Sequence, residues 1–314
     1  MERRIFLQLA AVAAVAGMPV AGRAAAADDD AAAFVAARRH ALLPQGRIAY
    51  VEQGSGPAAL FLHGAPLNGY QWRGALARLS GLRRCIAPDF MGLGYTEVPA
   101  AQALDAAAQL DMLLALLDAL GVAQADVVAS DSGGAVAQLL LARHPQRVRS
   151  LLLTNCDVEP DSPPAGVQPA IALAREGKLA DATAQWLTDR DAARRGFGAA
   201  VFHDPATLTD AAIEAYVRPL VASPLRREQY HRFHLALEPN PLAGVAAGLR
   251  RSTAPVRIVW GGADAIFSLN DARYLDRLFP RSQGVRVVAE GKLFFPEEYP
   301  DLIAQEARRL WAAA

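Results

Sequence analysis

Cysteine is scarce: the 314 residues hold two, Cys85 and Cys156, each inside an apolar, strand-like run. One possible pair is no disulfide framework, so both read as buried thiols. An excess of either charge is also missing, with 32 Lys and Arg against 32 Asp and Glu. That balance, without a basic tract, argues against a nucleic-acid partner. Cys and His fall into no metal-ligand spacing and no internal repeat is present, so neither a metal nor another cofactor is expected. Histidine itself gives out early; the last of six is His234.

Long apolar runs are lacking as well. The stretch from Leu9 to Val20 is short and rich in Ala and Gly, poorly suited to spanning a bilayer. It follows Arg3-Arg4 with Phe6 and Leu7 and precedes the small residues Ala24 to Ala27. A positive start, a short apolar run and a small-residue cleavage zone read as a secretory signal over residues 1–27. The paired arginines resemble the bacterial twin-arginine signal. The expectation is a periplasmic or secreted protein with no stable membrane anchor after cleavage; its oligomeric state is left open.

What the chain has instead is alternation. Strand-like runs at Gly46–Glu52, Ala58–Leu62, Arg84–Pro88, Asp126–Ser130 and Val148–Thr154 alternate with helical stretches, among them the amphipathic Asp105–Leu120. From residue 157 to 248 the chain is helical and Pro-punctuated, and the alternation resumes at Val256–Trp260. This predicts an α/β fold: a mostly parallel twisted sheet with helices on both faces and a helical cap inserted after the sixth strand. Core segments are expected at 28–156 and 249–314, with the cap over the carboxyl ends of the strands, where open sheets bind ligands.

The chemistry concentrates in residues 127–134, Val-Val-Ala-Ser-Asp-Ser-Gly-Gly. A buried strand, a sharp turn between small residues and a helix make a nucleophile elbow, with Asp131 at its apex. An Asp there is also a common helix N-cap. A carboxylate needs no base to attack an electrophilic carbon. The turn His63-Gly64-Ala65-Pro66 would supply the Ala65 amide which, with that of Ser132, forms an oxyanion hole. Asp264, in Trp260-Gly-Gly-Ala-Asp264, stands where an acid that orients a base belongs.

These motifs, with Tyr70-x-Trp72-Arg73, Pro88-Asp89-x-x-Gly92-x-Gly94, Ala142-Arg143-His144-Pro145 and Pro296-Glu297-Glu298-x-Pro300, resemble the α/β-hydrolase superfamily. The resemblance is to its Asp-nucleophile branch, which holds haloalkane dehalogenases and epoxide hydrolases, and it covers roughly residues 45–312. It implies Asp131 as nucleophile, Asp264 as supporting acid and a small-molecule substrate. A one-residue shift would make Ser132 the nucleophile of an esterase-like enzyme. Trp72, Tyr216 and Tyr230 are expected to contact substrate, the cap tyrosines as activators of an epoxide oxygen.

The chain departs from the family at its base. The catalytic histidine's place falls on Leu293 or its neighbour Lys292. Attack by Asp131 needs only an aligned carboxylate, but hydrolysis of the resulting ester needs an activated water. Asp157, His231, His234 and Lys292 are the substitutes considered. Asp157 reads more readily as a polar loop residue and the two histidines as cap packing. The halide-gripping Asn and Trp of dehalogenases are replaced by Ala65 and Ser132. Two expectations follow: a hydrolase acting on a haloalkane- or epoxide-type electrophile, or a small-molecule-binding protein on a hydrolase scaffold.

Overall fold

The computed structural model describes residues 31–313. The stretch read as an export signal, 1–27, lies outside them, and no helix among the described residues is long and apolar enough to cross a membrane. The strands are β1 (Arg38–Leu43), β2 (Gly46–Gln53), β3 (Ala58–Leu62), β4 (Arg84–Pro88), β5 (Ala125–Asp131), β6 (Val148–Cys156), β7 (Val256–Gly261) and β8 (Ser282–Val288). They form one sheet in the order β1-β2-β4-β3-β5-β6-β7-β8, with β2 antiparallel to both its neighbours and every later pairing parallel.

Burial explains the order. Every residue of β3 and β5 is buried, as suits central strands covered by helices on both faces. Strand β1 carries Arg38, Arg39 and His40 and leaves Leu42 84% exposed, which suits only an edge. Its polar sequence hides it from hydrophobic patterning, and the sequence reading missed it.

The covering helices include α1 (Arg73–Leu79), α2 (Ala106–Ala119), α3 (Ser132–Arg143), α4 (Asp210–Val221), α5 (Pro224–Leu235), α6 (Leu269–Leu278) and α7 (Pro300–Ala312). Side-chain caps fix several starts: Asp105 accepts from the Ala108 amide, Thr209 from Ala212, Ser223 from Arg226, and Ser268 with Asp271 forms a capping box. Strand β4 lies on one side of β3 and β5 on the other, so the chain reverses direction across the sheet at β3. The crevice at such a reversal is where α/β sheets place ligands.

Residues 157–255 leave the sheet as helices, turns and loops, although β6 and β7 pair directly through Leu151–Val256 and Leu153–Ile258. Polar contacts tie this helical cap to the core. Asn68 Nδ2 donates to the Ala215 carbonyl at 2.7 Å, and the Arg226 guanidinium donates to the carbonyls of Leu93, Gly94 and Thr96 at 3.0, 2.7 and 2.7 Å. The most costly tie joins α1, α4 and the tail: Arg73 pairs with Glu297 at 2.5 Å, and the Tyr216 hydroxyl donates to Glu297 at 2.9 Å. The Glu297 side chain is fully buried. Burial pushes its carboxyl up, while the Arg73 charge and the two hydrogen bonds pull it down.

A buried pair is strongly destabilising to break because one charge is left uncompensated. Arg73→Ala should therefore cost about 3–5 kcal/mol in urea denaturation. Adding Glu297→Gln, which removes the stranded charge, should recover part of that loss; equal stability of the single and double variants would contradict the account.

Candidate active site

Strand β5 ends on Asp131 and α3 begins on Ser132. Asp131 has φ 53° and ψ −133°, and among the described residues no other non-glycine has a positive φ. Such a conformation costs about 1–3 kcal/mol and persists only where the surroundings enforce it. Here three neighbours have no side chain because none fits. A Cβ on Gly133 would lie 2.5 Å from the His63 carbonyl oxygen, and one on Gly134 would collide with Cys156. On Gly64 it would sit 2.5 Å from Asp131 Oδ2. The strained turn belongs to Asp131, while Ser132 is the first residue of the helix.

The Asp131 side chain makes no helix-capping bond. Its Oδ2 accepts from the Ala65 amide at 2.7 Å, and the Ser132 amide also donates to the carboxylate. Both amides expected of an oxyanion hole thus converge on the carboxylate itself. The loop that presents Ala65 is fixed from below. His63 Nε2 accepts from the Phe90 amide at 3.0 Å, so its Nδ1–H donates to the Gly64 carbonyl at 2.9 Å. Gln71 Oε1 accepts the Gly64 amide at 3.0 Å. Burial pushes the His63 pKa down, which keeps the ring neutral in this framing role.

The charges of two further carboxylates, Asp157 and Asp264, act on Asp131 at this end of the sheet. Asp131 is buried, and burial first, then the charge of Asp157, push its pKa up to about 7; the two amides oppose this. Asp157 directly follows Cys156, which pairs with Asp131 across β5 and β6. Burial pushes it up to about 6, against a 2.8 Å bond from the Ser162 hydroxyl to its Oδ1. Asp264, at the end of β7, is pushed up by burial. Its Oδ2 accepts from Asn155 at 2.6 Å and its Oδ1 from the Ile266 amide at 2.9 Å.

Ser132 and Asp157 line a cavity of about 20 Å³, walled by Phe90, Leu104, Val136, Phe233 and Leu237 among others. That is room for roughly one water. The Ser132 Oγ is buried and has no hydrogen-bond partner. Leu104 and Ala236 border both this cavity and an outer depression of about 350 Å³ that also touches Asp105 and Arg232. The inner space is closed by side chains of core and cap together.

Trp72, Tyr216 and Tyr230, expected as substrate contacts, are not on the wall of this cavity, and neither are Asp131 and Ala65. Trp72 is fully buried against Phe61. The Tyr216 hydroxyl is committed to Glu297, and that of Tyr230 lies 3.3 Å from Thr183. Sequence position put the tyrosines in the cap; only packing shows that one hydroxyl reaches Glu297 of the core tail and the other Thr183. Leu293 is buried, and the stretch around it lies against β7, where the Ala263 amide donates to the Gly291 carbonyl at 2.9 Å. Lys292 donates to the Ala199 carbonyl. His231 accepts from the Ala180 amide at 2.9 Å, while His234 bonds the Tyr230 carbonyl and is pushed down to about 4 by burial. Among the described residues, no group of three or more His, Cys, Asp or Glu is placed to hold a metal ion.

Comparison with known proteins gives the same picture of fold. A family model described as alpha/beta hydrolase fold matches residues 57–299. A 2-hydroxymuconate semialdehyde hydrolase of Pseudomonas putida is 43% identical over 104 residues, 32% of this chain and 37% of that protein. A haloalkane dehalogenase of Mesorhizobium japonicum is 43% identical over 107 residues, 33% of this chain and 34% of that one. The aligned parts thus span about a third of each relative. Over the whole fold, the crystal structure of haloalkane dehalogenase DbeA from Bradyrhizobium elkani superposes with a TM-score of 0.71 at 26% identity, covering 88% of this chain and 99% of that chain.

A carboxyl group raised from 3.8 to about 7 on folding opposes folding once ionised. The penalty is absent below the lower value, grows between the two and is complete above the higher. Asp131→Asn should therefore raise the melting temperature at pH 8 and leave it nearly unchanged near pH 3.5. Thermal scans at both pH values test this; a loss of stability at pH 8 contradicts it.

Proposed function

Because the chain belongs to the α/β-hydrolase fold family, we propose that it hydrolyses a small, largely apolar electrophile of haloalkane or epoxide type, with Asp131 as the nucleophile. It is related to haloalkane dehalogenases and epoxide hydrolases. The observation that carries the reading is a buried carboxylate at a strained elbow, with one oxygen on the Ala65 amide and only like charges acting on it. A carboxylate stripped of water and without a cation is a stronger nucleophile than one in solution.

In the proposed reaction a carboxylate oxygen attacks the carbon in line with the leaving group, which departs with the bonding electrons. The alkyl ester of Asp131 remains. Its carbonyl oxygen lies on the Ala65 and Ser132 amides, which stabilise the oxyanion formed when water attacks the ester. The unpartnered Ser132 hydroxyl is suited to donate to the departing atom, where dehalogenases use a tryptophan. The apolar walls of Phe90, Leu104, Val136 and Phe233 suit an apolar substrate. The export signal read at Arg3-Arg4 makes the periplasm or the medium its proposed location.

A nucleophilic Ser132 is the weaker reading: its hydroxyl has no base in hydrogen-bond contact, and its backbone is helical, not elbow-shaped. Activity on 1-bromobutane and styrene oxide, followed by halide release and diol formation, separates the possibilities. Asp131→Asn should abolish turnover, and the wild-type rate of attack should rise with pH through about 7. Ser132→Ala should reduce turnover by about 10- to 100-fold, the scale of one lost hydrogen bond to a charged group. Full activity of Asp131→Asn, or binding without reaction across haloalkanes and epoxides, would overturn the proposal.

A further inference from the structure

The ester on Asp131 has to be hydrolysed, and no histidine is placed to activate the water. His63, His231 and His234 each hold backbone groups in the core or cap, and Lys292 is bound to the Ala199 carbonyl. Asp264 has both carboxylate oxygens engaged, by Asn155 and by the Ile266 amide. Asp157 is differently placed. It is buried at the carboxyl end of β6, next to the residue that pairs with Asp131, and it lines the small cavity together with Ser132.

We infer that Asp157 is the general base that hydrolyses the Asp131 ester, acting from the end of β6 in place of the histidine that Leu293 replaces. The inference rests on Asp131 being the nucleophile. Two features point to a water beside Asp157 and Ser132, the residue that follows Asp131. The cavity has about the volume of one, and the buried Ser132 Oγ on its wall has no protein partner, although buried hydroxyls nearly always have one. Ser162, bonding to Oδ1 at 2.8 Å, holds the Asp157 carboxylate in one orientation.

The step balances without a further reactant. Water attacks the ester carbonyl carbon as its proton passes to Asp157, and the oxyanion forms on the oxygen held by the Ala65 and Ser132 amides. The intermediate collapses, the carbon–oxygen bond to the alkoxide breaks, and the alkoxide takes the proton from Asp157. Asp157 returns to its ionised form, and Asp131, left as the carboxylic acid, releases its remaining proton to solvent to restore the carboxylate. Ester formation also removes the negative charge on Asp131, the like charge that an ionised Asp157 would otherwise face. A base titrating at about 6 is ionised at neutral pH and still accepts a proton, the balance that general-base catalysis favours.

Intact-mass spectrometry after mixing with 1-bromobutane tests the inference. Asp157→Asn, which can still accept from Ser162, should react once and hold one butyl group, with steady-state turnover reduced by at least about 10²-fold. Asp131→Asn should take up none. Near wild-type turnover by Asp157→Asn overturns the assignment, as does a permanent butyl adduct on the wild-type enzyme, since either shows that Asp157 is not the working base. Wild-type protein that gives neither adduct nor product, with haloalkanes or epoxides, fails differently: it overturns the Asp131 nucleophile as well.

Should Asp157→Asn not fold, Ser162→Ala provides a second route. Removing that bond takes away an influence that lowers the Asp157 pKa, while burial and the charges of Asp161 and Asp271, with Asp131 neutral as the ester, continue to act. The pH limb of single-turnover ester decay should move upward in Ser162→Ala. An unmoved limb overturns the inference.

Discussion

The site depends on one constraint: a carboxylate held at a strained turn by two backbone amides and by no cation. Strand β5 shows how unusual that is, because it carries two buried aspartates five positions apart. Asp126, at its amino end, accepts from Arg83 and Arg149 at 2.9 Å and from Ser150 at 2.7 Å. Asp131, at the other end, has only amide donors and like charges acting on it. Paired and hydrogen-bonded, the first is a structural anchor. No cation is paired with the second, and the fold sustains it through glycines at 64, 133 and 134 that let the backbone close around it.

The sheet decides where this carboxylate lies. Asp131 and the loop presenting Ala65 leave β5 and β3, the strands on either side of the reversal in strand order, so the carboxylate and the Ala65 amide meet at the natural crevice of the sheet. The cap then closes it. Its anchors, Arg226 on three core carbonyls and Glu297 between Arg73 and Tyr216, lie outside the cavity wall. Leu104 of the core and Ala236 of the cap border both the inner cavity and the outer depression.

The sharp turn at Asp131 and the His63–Pro66 loop were legible because both are local: small residues at fixed offsets around a strand end dictate the turn whatever packs over it. The parallel strands were legible for a similar reason, as continuous apolar runs. Strand β1 was not, since Arg38, Arg39 and His40 give an edge strand no apolar signature. The tyrosines went astray because a hydroxyl's partner comes from a distant segment; Glu297 reaches Tyr216 from 81 positions away. The position of Asp157 was hidden on the same ground. In sequence it is one acidic loop residue, and only the pairing of Cys156 with Asp131 brings it beside the nucleophile.

That placement also makes sense of Asp264. In an enzyme with an imidazole base such an acid would orient the ring; here Asp264 is bonded by Asn155. Asn155 in turn donates to the Gly261 carbonyl at 3.2 Å and accepts from the Gly261 amide at 2.6 Å, joining β6 to β7. The pair thus fixes the end of β6 two residues before Asp157. On the proposed reading, Asp264 belongs to the brace for the carboxylate that acts as base, and that base stands at the end of β6, where the sheet itself sets its position beside Asp131.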